Sequence, residues 1–172
     1  MKKKGKKVVL LKPSVDTKCD RKIVFRICLE RKVDYLIGEN DSIISKLENI
    51  ICSLSCILVD EAQFLKRKQV DELFYISKIM DIPVIAFGLR TDFKTNGFEG
   101  ADRLLELVDS IEVMPTICRC GKKARFNARK INNDFIFDGD SIVIDNDSNV
   151  SYESLCGTCY IKEKIKKIKK PF

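Results

Sequence analysis

Short apolar runs alternate with segments of helical periodicity through the first two thirds of the chain. Four runs of five to seven residues are typical of buried strands: 7–13, 33–37, 56–60 and 82–88. Between and after these runs, apolar residues recur at helical spacing and predict helices at about 42–52, 66–80 and 101–109. Because strands alternate with helices, the pattern predicts an α/β fold with a mostly parallel sheet covered on both faces.

The pattern changes after Met114-Pro115, where short β-type segments and cysteine pairs replace the long periodic stretches. Phe135-Ile136-Phe137 and Ile142-Val143-Ile144 are predicted strands, and Asp138-Gly139-Asp140 suits the turn of a hairpin between them. A small β-rich module therefore follows the α/β part. We expect three segments: an α/β core at 1–114, a small β-rich subdomain at 115–160 and a basic tail at 161–172.

Length and charge narrow the function classes. A chain of 172 residues suits one domain with a small appended module, and its longest apolar runs fall far short of the ~20 residues of a membrane helix. No signal-peptide pattern follows the N-terminal lysines, so we expect a cytoplasmic protein without a membrane partner.

The net charge of +7 comes from two Lys-rich ends, which are more often solvated than bound to nucleic acid. Histidine is absent, so a general base must be a carboxylate.

Four of the eight cysteines form two close pairs. Cys118 and Cys120 are separated by one residue, and Cys156 and Cys159 by two. This spacing predicts a closed Cys₄ site for a structural Zn²⁺, although C-x-C is less usual than C-x-x-C and four unligated buried thiols remain the alternative. The other cysteines have no such spacing and are interpreted as small apolar residues: Cys19, Cys28, Cys52 and Cys56.

The octet Ile57-Leu58-Val59-Asp60-Glu61-Ala62-Gln63-Phe64 carries the clearest chemical signal. An apolar run that ends in two acids predicts a buried strand whose tip presents carboxylates. At such a tip Asp60 can hold the Mg²⁺ of a nucleoside triphosphate, and Glu61 can take a proton from an attacking hydroxyl. The plain alternative is an ordinary strand that ends in two solvated acids.

A second segment, Phe87-Gly88-Leu89-Arg90-Thr91-Asp92-Phe93, lies at the carboxyl end of the next predicted strand and is followed by Phe98-Glu99-Gly100. Apolar side chains at this sheet edge could stack on a flat base, while Arg90 and Asp92 order the loop. The same residues could instead form a simple connection with buried phenylalanines.

Together these residues resemble the cytosolic-type thymidine kinases, the tetrameric, zinc-containing family. The resemblance runs from about Gly5 to Tyr160 and rests on motifs in series: Lys12-Pro13 with Asp16-Thr17, Val59 to Phe64, Gly88 to Phe93, Phe98-Glu99-Gly100, Thr116-Ile117-Cys118 with Cys120-Gly121, and Tyr152 to Cys156. It implies a parallel P-loop/RecA-like sheet flanked by helices, with a small Cys₄ zinc subdomain. Segment 1–114 would then be a nucleotide-binding core, and segment 115–160 a zinc-ribbon-like lid.

The resemblance also implies chemistry and residue roles. The reaction would move the γ-phosphoryl group of ATP to the 5′-hydroxyl of thymidine and give dTMP, within a homotetramer. Asp60 would bind Mg²⁺, Glu61 would be the catalytic base and Gln63 would lie on the ATP-binding side. Arg90 and Asp92 would support the thymine pocket. Thymidine would contact the following residues: Phe64, Leu89, Phe93, Phe98, Asn127, Val143, Asp145 and Tyr152.

One departure bears on activity. The family's phosphate loop has the pattern G-x-x-x-x-G-K-[S/T], and these 172 residues contain no such pattern. We therefore expect this truncated chain to be weak or inactive, and to lack a strand beside Val59-Asp60. In addition, Ile142-Val143-Ile144 precedes Asp145-Asn146, where the family has Gly-Gly. Two alternatives remain open: a non-catalytic relative that binds nucleoside or an intact subunit, and a zinc-ribbon nucleic-acid-binding protein.

Overall fold

The computed structural model describes residues 5–14, 22–24, 30–139 and 149–168, and the chain divides into two compact units. The first, called here the core unit, comprises Met1–Arg90 and Phe98–Asp109. The second, the cysteine unit, comprises Thr91–Gly97 and Ser110–Phe172.

A four-stranded parallel sheet organises the core unit. In chain order its strands are β1 (Val8–Pro13), β4 (Tyr35–Ile37), β5 (Cys56–Val59) and β6 (Val84–Ala86). They lie side by side in the order β4-β1-β5-β6. In a separate two-stranded sheet, β2 (Lys22–Val24) pairs antiparallel with β3 (Glu30–Lys32). The parallel register pairs Val9 with Ile57 and Val59 with Ala86, so β1, β5 and β6 end at the same sheet edge.

Helices cover this sheet. They are α1 (Ile43–Leu47), α2 (Arg67–Ile79) and α3 (Glu99–Leu107), with 3₁₀ turns at Ile51–Ser53 and Ala62–Phe64. The apolar positions that predicted strands and helices form one core, which includes these buried residues: Val9, Leu11, Ile37, Ile43, Leu47, Ile57, Val59, Val70, Leu73 and Ile76. The predicted α/β class, with a parallel sheet flanked by helices, is confirmed.

The helix predicted over 42–52 is wrong in length, because α1 ends at Leu47. Its first turn is held from outside: the Glu72 carboxylate of α2 accepts hydrogen bonds from the Ile43 and Ile44 amides at 2.5 and 3.1 Å. Gln69, one turn earlier on α2, donates to the carbonyls of Gly38 and Asp41. The Glu72 bonds satisfy amides at the helix start that a five-residue helix cannot satisfy itself, and the Gln69 bonds satisfy carbonyls of the loop before it.

Two expectations about the sheet are corrected. β5 pairs with β1 on one side and with β6 on the other, so the position beside Val59 is already filled. The run at 82–88, expected to be buried, gives the short strand β6, and among the described strands β6 has a neighbour on one side only. Ile85 and Phe87 are 48% and 43% exposed there. Apolar sequence alone does not distinguish an edge strand from a central one.

The cysteine unit contains a three-stranded antiparallel sheet in the order β8-β7-β9. Its elements are β7 (Phe126–Ile131), β8 (Asp134–Ile136), β9 (Val150–Leu155) and the helix α4 (Gly157–Ile168). β7 and β8 turn at Asn132-Asn133, whose φ values of 51° and 67° match a tight hairpin turn. The predicted strand 142–144 lies outside the described residues.

The Lys-rich segment from 160 onward, expected only as a charged tail, forms α4 through Ile168. Its anchor is Tyr160, which is 2% exposed and packs against Phe126 and Phe137. Within the described ranges, no helix combines the length and the apolarity that crossing a membrane requires.

Candidate active site and metal site

Asp60 and Glu61 follow directly after β5, at the carboxyl edge of the sheet. The Asp60 amide donates to the Leu11 carbonyl at 2.9 Å, which extends the β1–β5 ladder to the strand tip. Glu61 then has a φ of 51°, in the left-handed region that a non-glycine residue adopts only at a cost. This bend ends the strand and starts the 3₁₀ turn at Ala62.

Gln63 fixes the carboxylate of Glu61. Its side-chain amide donates to Glu61 Oε2 at 2.6 Å, while its Oε1 accepts from the Leu89 amide at 3.0 Å. Gln63 is only 2% exposed, and both bonds are partly buried. The same side chain therefore joins the tip of β5 to the segment that follows β6.

Gly88 makes this close approach possible. A Cβ placed at Gly88 would lie 2.6 Å from Gln63 Oε1 and 3.1 Å from the Gln63 amide nitrogen. Gly100, at the start of α3, is equally constrained, because a Cβ there would lie 2.6 Å from the Leu65 carbonyl oxygen. A Cβ at Gly100 would therefore meet backbone oxygens, and a Cβ at Gly88 would meet the Gln63 side chain and backbone, so a larger residue would force a shift at both positions.

Two aromatic rings stand beside the strand tip. Phe64 and Phe98 pack edge to face, with centroids 5.5 Å apart and an interplanar angle of 79°. Leu89 is 43% exposed. The core unit thus brings together one group of the predicted site residues: Asp60, Glu61, Gln63, Phe64, Leu89 and Phe98.

Asp92 organises the loop of the cysteine unit that carries Phe93. Its Oδ1 accepts from the amides of Lys94 and Asn96, both at 2.8 Å, and Asp92 is 6% exposed. The Asp92 amide in turn donates to the Asn96 carbonyl. These bonds give Asp92 the loop-ordering place that the sequence suggested.

One face of the β8-β7-β9 sheet collects other predicted residues. In the β7–β9 register Asn127 pairs with Ser154 and Arg129 with Tyr152, so these four side chains lie on the same face. Phe93 packs there too, with the Arg129 guanidinium carbon 3.7 Å from its ring centroid. Phe93, Asn127 and Tyr152 therefore meet within the cysteine unit. Val143 and Asp145 lie outside the described residues.

The cysteine cluster has the geometry of a metal site. The sulfur atoms of Cys118, Cys120, Cys156 and Cys159 all lie within 4.8 Å of one another. The distance from Cys120 Sγ is 3.5 Å to Cys118 Sγ and 3.6 Å to Cys156 Sγ. Four sulfurs around Zn²⁺ at about 2.3 Å are separated by about 3.8 Å, so the donor set fits zinc.

The local backbone favours thiolates at two of these cysteines. The Cys120 amide lowers the pKa of Cys118 to about 6, and the Cys159 amide lowers the pKa of Cys156. The pKa of Cys159 is raised instead, first because its thiol interacts with the Cys120 sulfur and then because it is removed from solvent. Gly121, with a φ of 81°, provides the tight turn after the first pair.

Arg129 was not recognised from the sequence. It is 2% exposed, and its Nε donates to Tyr152 Oη at 3.1 Å. A lone arginine in the segment Phe126–Ile131 looks like an ordinary surface cation, and only the β7–β9 register reveals its partners. Gly88 and the pairing of Gln63 with Leu89 were missed for the same reason, since both depend on contacts distant in sequence.

Fold and site together define a class. A parallel α/β sheet with an acidic pair at a strand tip and aromatic rings beside it is typical of nucleotide-handling α/β proteins, and the four cysteines could hold a metal ion.

Comparison with known proteins identifies the family within this class. The thymidine kinase family model matches residues 1–160. A thymidine kinase of Rhodopirellula baltica is 38% identical over 165 residues, which cover 94% of this chain and 77% of that protein. A thymidine kinase of Streptococcus gordonii is 38% identical over 163 residues, covering 94% and 84%. One of Francisella tularensis subsp. holarctica is 36% identical over 160 residues, covering 89% and 81%. The chain belongs to the thymidine kinase family.

Proposed function

We propose that the strand tip of the core unit performs the phosphoryl transfer of this family, from ATP to the 5′-hydroxyl of thymidine. The observation that carries the proposal is the position of Glu61. Its carboxylate is held at 2.6 Å by Gln63, which is itself held by the Leu89 amide. A base whose orientation is fixed in advance is what proton abstraction requires.

The chain's residues then have definite tasks. The Glu61 carboxylate accepts the proton of the 5′-hydroxyl as that oxygen forms a bond to the γ-phosphorus. The bond from the γ-phosphorus to the bridging oxygen breaks, and ADP leaves with the electron pair. Asp60, a carboxylate at the strand end, would hold Mg²⁺, which neutralises phosphate charge when it is bound. Gln63 would lie on the ATP-binding side of the site. Its hydrogen bond to Glu61 would also orient the base.

Thymidine recognition is proposed for both groups of residues. In the core unit the edge-to-face pair Phe64 and Phe98, together with the exposed Leu89, offers apolar surface to a base. In the cysteine unit the corresponding residues are Phe93, Asn127 and Tyr152, with Val143 and Asp145 added on the family resemblance. Zn²⁺ on the four cysteines would serve structure, because a closed Cys₄ set leaves no position for substrate.

Activity of the 172 residues alone is expected to be low. They contain no G-x-x-x-x-G-K-[S/T] pattern, and scattered lysines do not replace a preorganised phosphate loop. Robust thymidine phosphorylation by the purified chain would contradict this and require another phosphate site. The alternative is that the protein is a non-catalytic relative that binds nucleoside. The absence of the phosphate-loop pattern from these 172 residues favours this alternative.

Assembly and location are also proposals. The exposed side chains of α2, Phe74, Tyr75 and Ile79, support contact with further copies, in line with a homotetramer. A mass of one chain in light scattering at working concentration would exclude a homotetramer.

We further infer a cytoplasmic location, because thiolates persist as metal ligands in a reducing compartment.

Glu61→Gln tests the catalytic proposal, in this chain preceded by the family's strand and phosphate loop. We expect kcat to fall by roughly 10²–10⁴-fold, the usual contribution of a positioned base, while the Kd of thymidine stays within about threefold. Steady-state phosphorylation and calorimetry measure the two quantities. Glu48→Gln, at an exposed position on the same unit, is the matched control. An unchanged kcat in Glu61→Gln would reject Glu61 as the base.

A further inference from the structure

Arg129 is a buried charged residue in the sheet of the cysteine unit. It belongs to β7, the middle strand of its sheet, and is 2% exposed. A buried guanidinium is costly unless its hydrogen-bonding groups and charge are used. The contacts of Arg129 with Phe93 and Tyr152 therefore indicate its role.

Those contacts reach two residues that are proposed to touch thymidine. The guanidinium carbon of Arg129 lies over the Phe93 ring, 3.7 Å from its centroid. Its Nε donates to Tyr152 Oη at 3.1 Å. Tyr152 is the direct cross-strand partner of Arg129, and its ring centre is 5.7 Å from the guanidinium carbon.

Phe93 is fixed from its other end by α4. The Tyr160 hydroxyl donates to the Phe93 carbonyl at 2.6 Å, and Tyr160 follows the cysteine ligand candidate Cys159. Phe93 therefore has its backbone held by Tyr160 and its ring held by Arg129. Tyr152, by contrast, is 49% exposed, and its hydroxyl accepts a hydrogen bond from Arg129.

We propose that Arg129 is a positioning residue for thymidine, which sets the Tyr152 phenol relative to the Phe93 ring and so prepares the nucleoside-binding face of the cysteine unit. This role rests on the proposed function, because it assumes that Tyr152 contacts thymidine. Arginine suits it better than lysine: the planar guanidinium stacks on one ring with its face and bonds a second residue with its edge.

The test is a double-mutant cycle on thymidine binding, measured by calorimetry on the zinc-loaded 172-residue chain. Arg129→Lys keeps the charge and removes the planar fork, and Tyr152→Phe removes only the hydroxyl that accepts from Nε. We expect Arg129→Lys to weaken thymidine binding by about tenfold in the native background and by less than about threefold in the Tyr152→Phe background. Zinc content should stay the same.

Lys130→Gln is the matched control. Lys130 neighbours Arg129 on β7 but points to the opposite face, where it forms an ion pair with Glu153 and lies 4.6 Å from the Phe135 ring centroid. Its loss should lower the melting temperature without changing the thymidine Kd.

The outcomes separate the two proposals. If the native chain binds no thymidine, the proposed function fails. If the native chain binds but Arg129→Lys weakens binding no more than Lys130→Gln does, only the positioning role fails. Equal losses from Arg129→Lys in both backgrounds would also overturn it, because independent effects add.

Discussion

At the residue scale, the backbone of Glu61 shows how this site is built. A left-handed φ at a non-glycine residue costs on the order of 1–3 kcal/mol and persists only where the surroundings enforce it. Here the surroundings are Gln63 and the Leu89 amide. The sequence could predict that two carboxylates end a strand, because apolar runs followed by acids are local patterns. It could not predict the bend or the Gln63 contact with Leu89, which joins residues 26 positions apart.

Gly88→Ala tests this arrangement directly. The new Cβ would lie 2.6 Å from Gln63 Oε1, so Gln63 must move away from Leu89 and Glu61. We expect a stability loss of about 1–3 kcal/mol, typical of overpacking, together with a fall in kcat of the P-loop-extended chain. Urea denaturation and phosphorylation assays measure the two effects.

Gly5→Ala serves as the control for Gly88→Ala, because a Cβ at Gly5 meets no atom within 4 Å. It should change neither stability nor rate by a measurable amount. If Gly88→Ala behaves like Gly5→Ala, then Gln63 does not need its present position and the orientation of Glu61 has another cause.

At the scale of elements, sequence reasoning succeeded where an apolar period was strong. The predicted helix at 66–80 matches α2 at Arg67–Ile79, whose apolar side faces the core. It failed for β7 and β9, whose sequences FNARKI and VSYESL are half polar and show no strict alternation. These strands are specified by pairing with each other and by the cysteine cluster beside them, which are contacts that no local window contains.

Zinc removal is the prediction that belongs to these elements. Native protein purified without chelator should contain one Zn²⁺ per chain. Cys159→Ser should lose the metal and lower the melting temperature, because the four sulfurs connect the start of α4 to the loop before β7. Metal analysis and thermal unfolding provide the readouts.

Cys52→Ser is the matched control, since Cys52 is an exposed free thiol outside the cluster. It should retain the metal and the native melting temperature. Well under one zinc per chain in anaerobically prepared native protein would contradict the assignment, as would unfolding of Cys159→Ser at the native temperature.

For the whole molecule, family membership was predictable because short motifs occur in order from Gly5 to Tyr160, and the family model matches residues 1–160. Strand order was not predictable in the same way. The parallel register places β5 between β1 and β6, so β6 is an edge strand of the described sheet. Motifs report the chemistry at strand ends, whereas strand order depends on packing among distant segments.

Thymidine binding by the native 172-residue chain is the most direct measurement of the central claim, that this chain carries the nucleoside side of a thymidine kinase site. Calorimetric titration should show saturable binding of one thymidine per chain. Phe98→Ala should weaken it by about tenfold, because it removes one ring of the Phe64–Phe98 pair. Phe74→Ala, on the exposed face of α2, should leave the Kd unchanged. The absence of thymidine binding, or equal binding by Phe98→Ala and the native chain, would contradict the account.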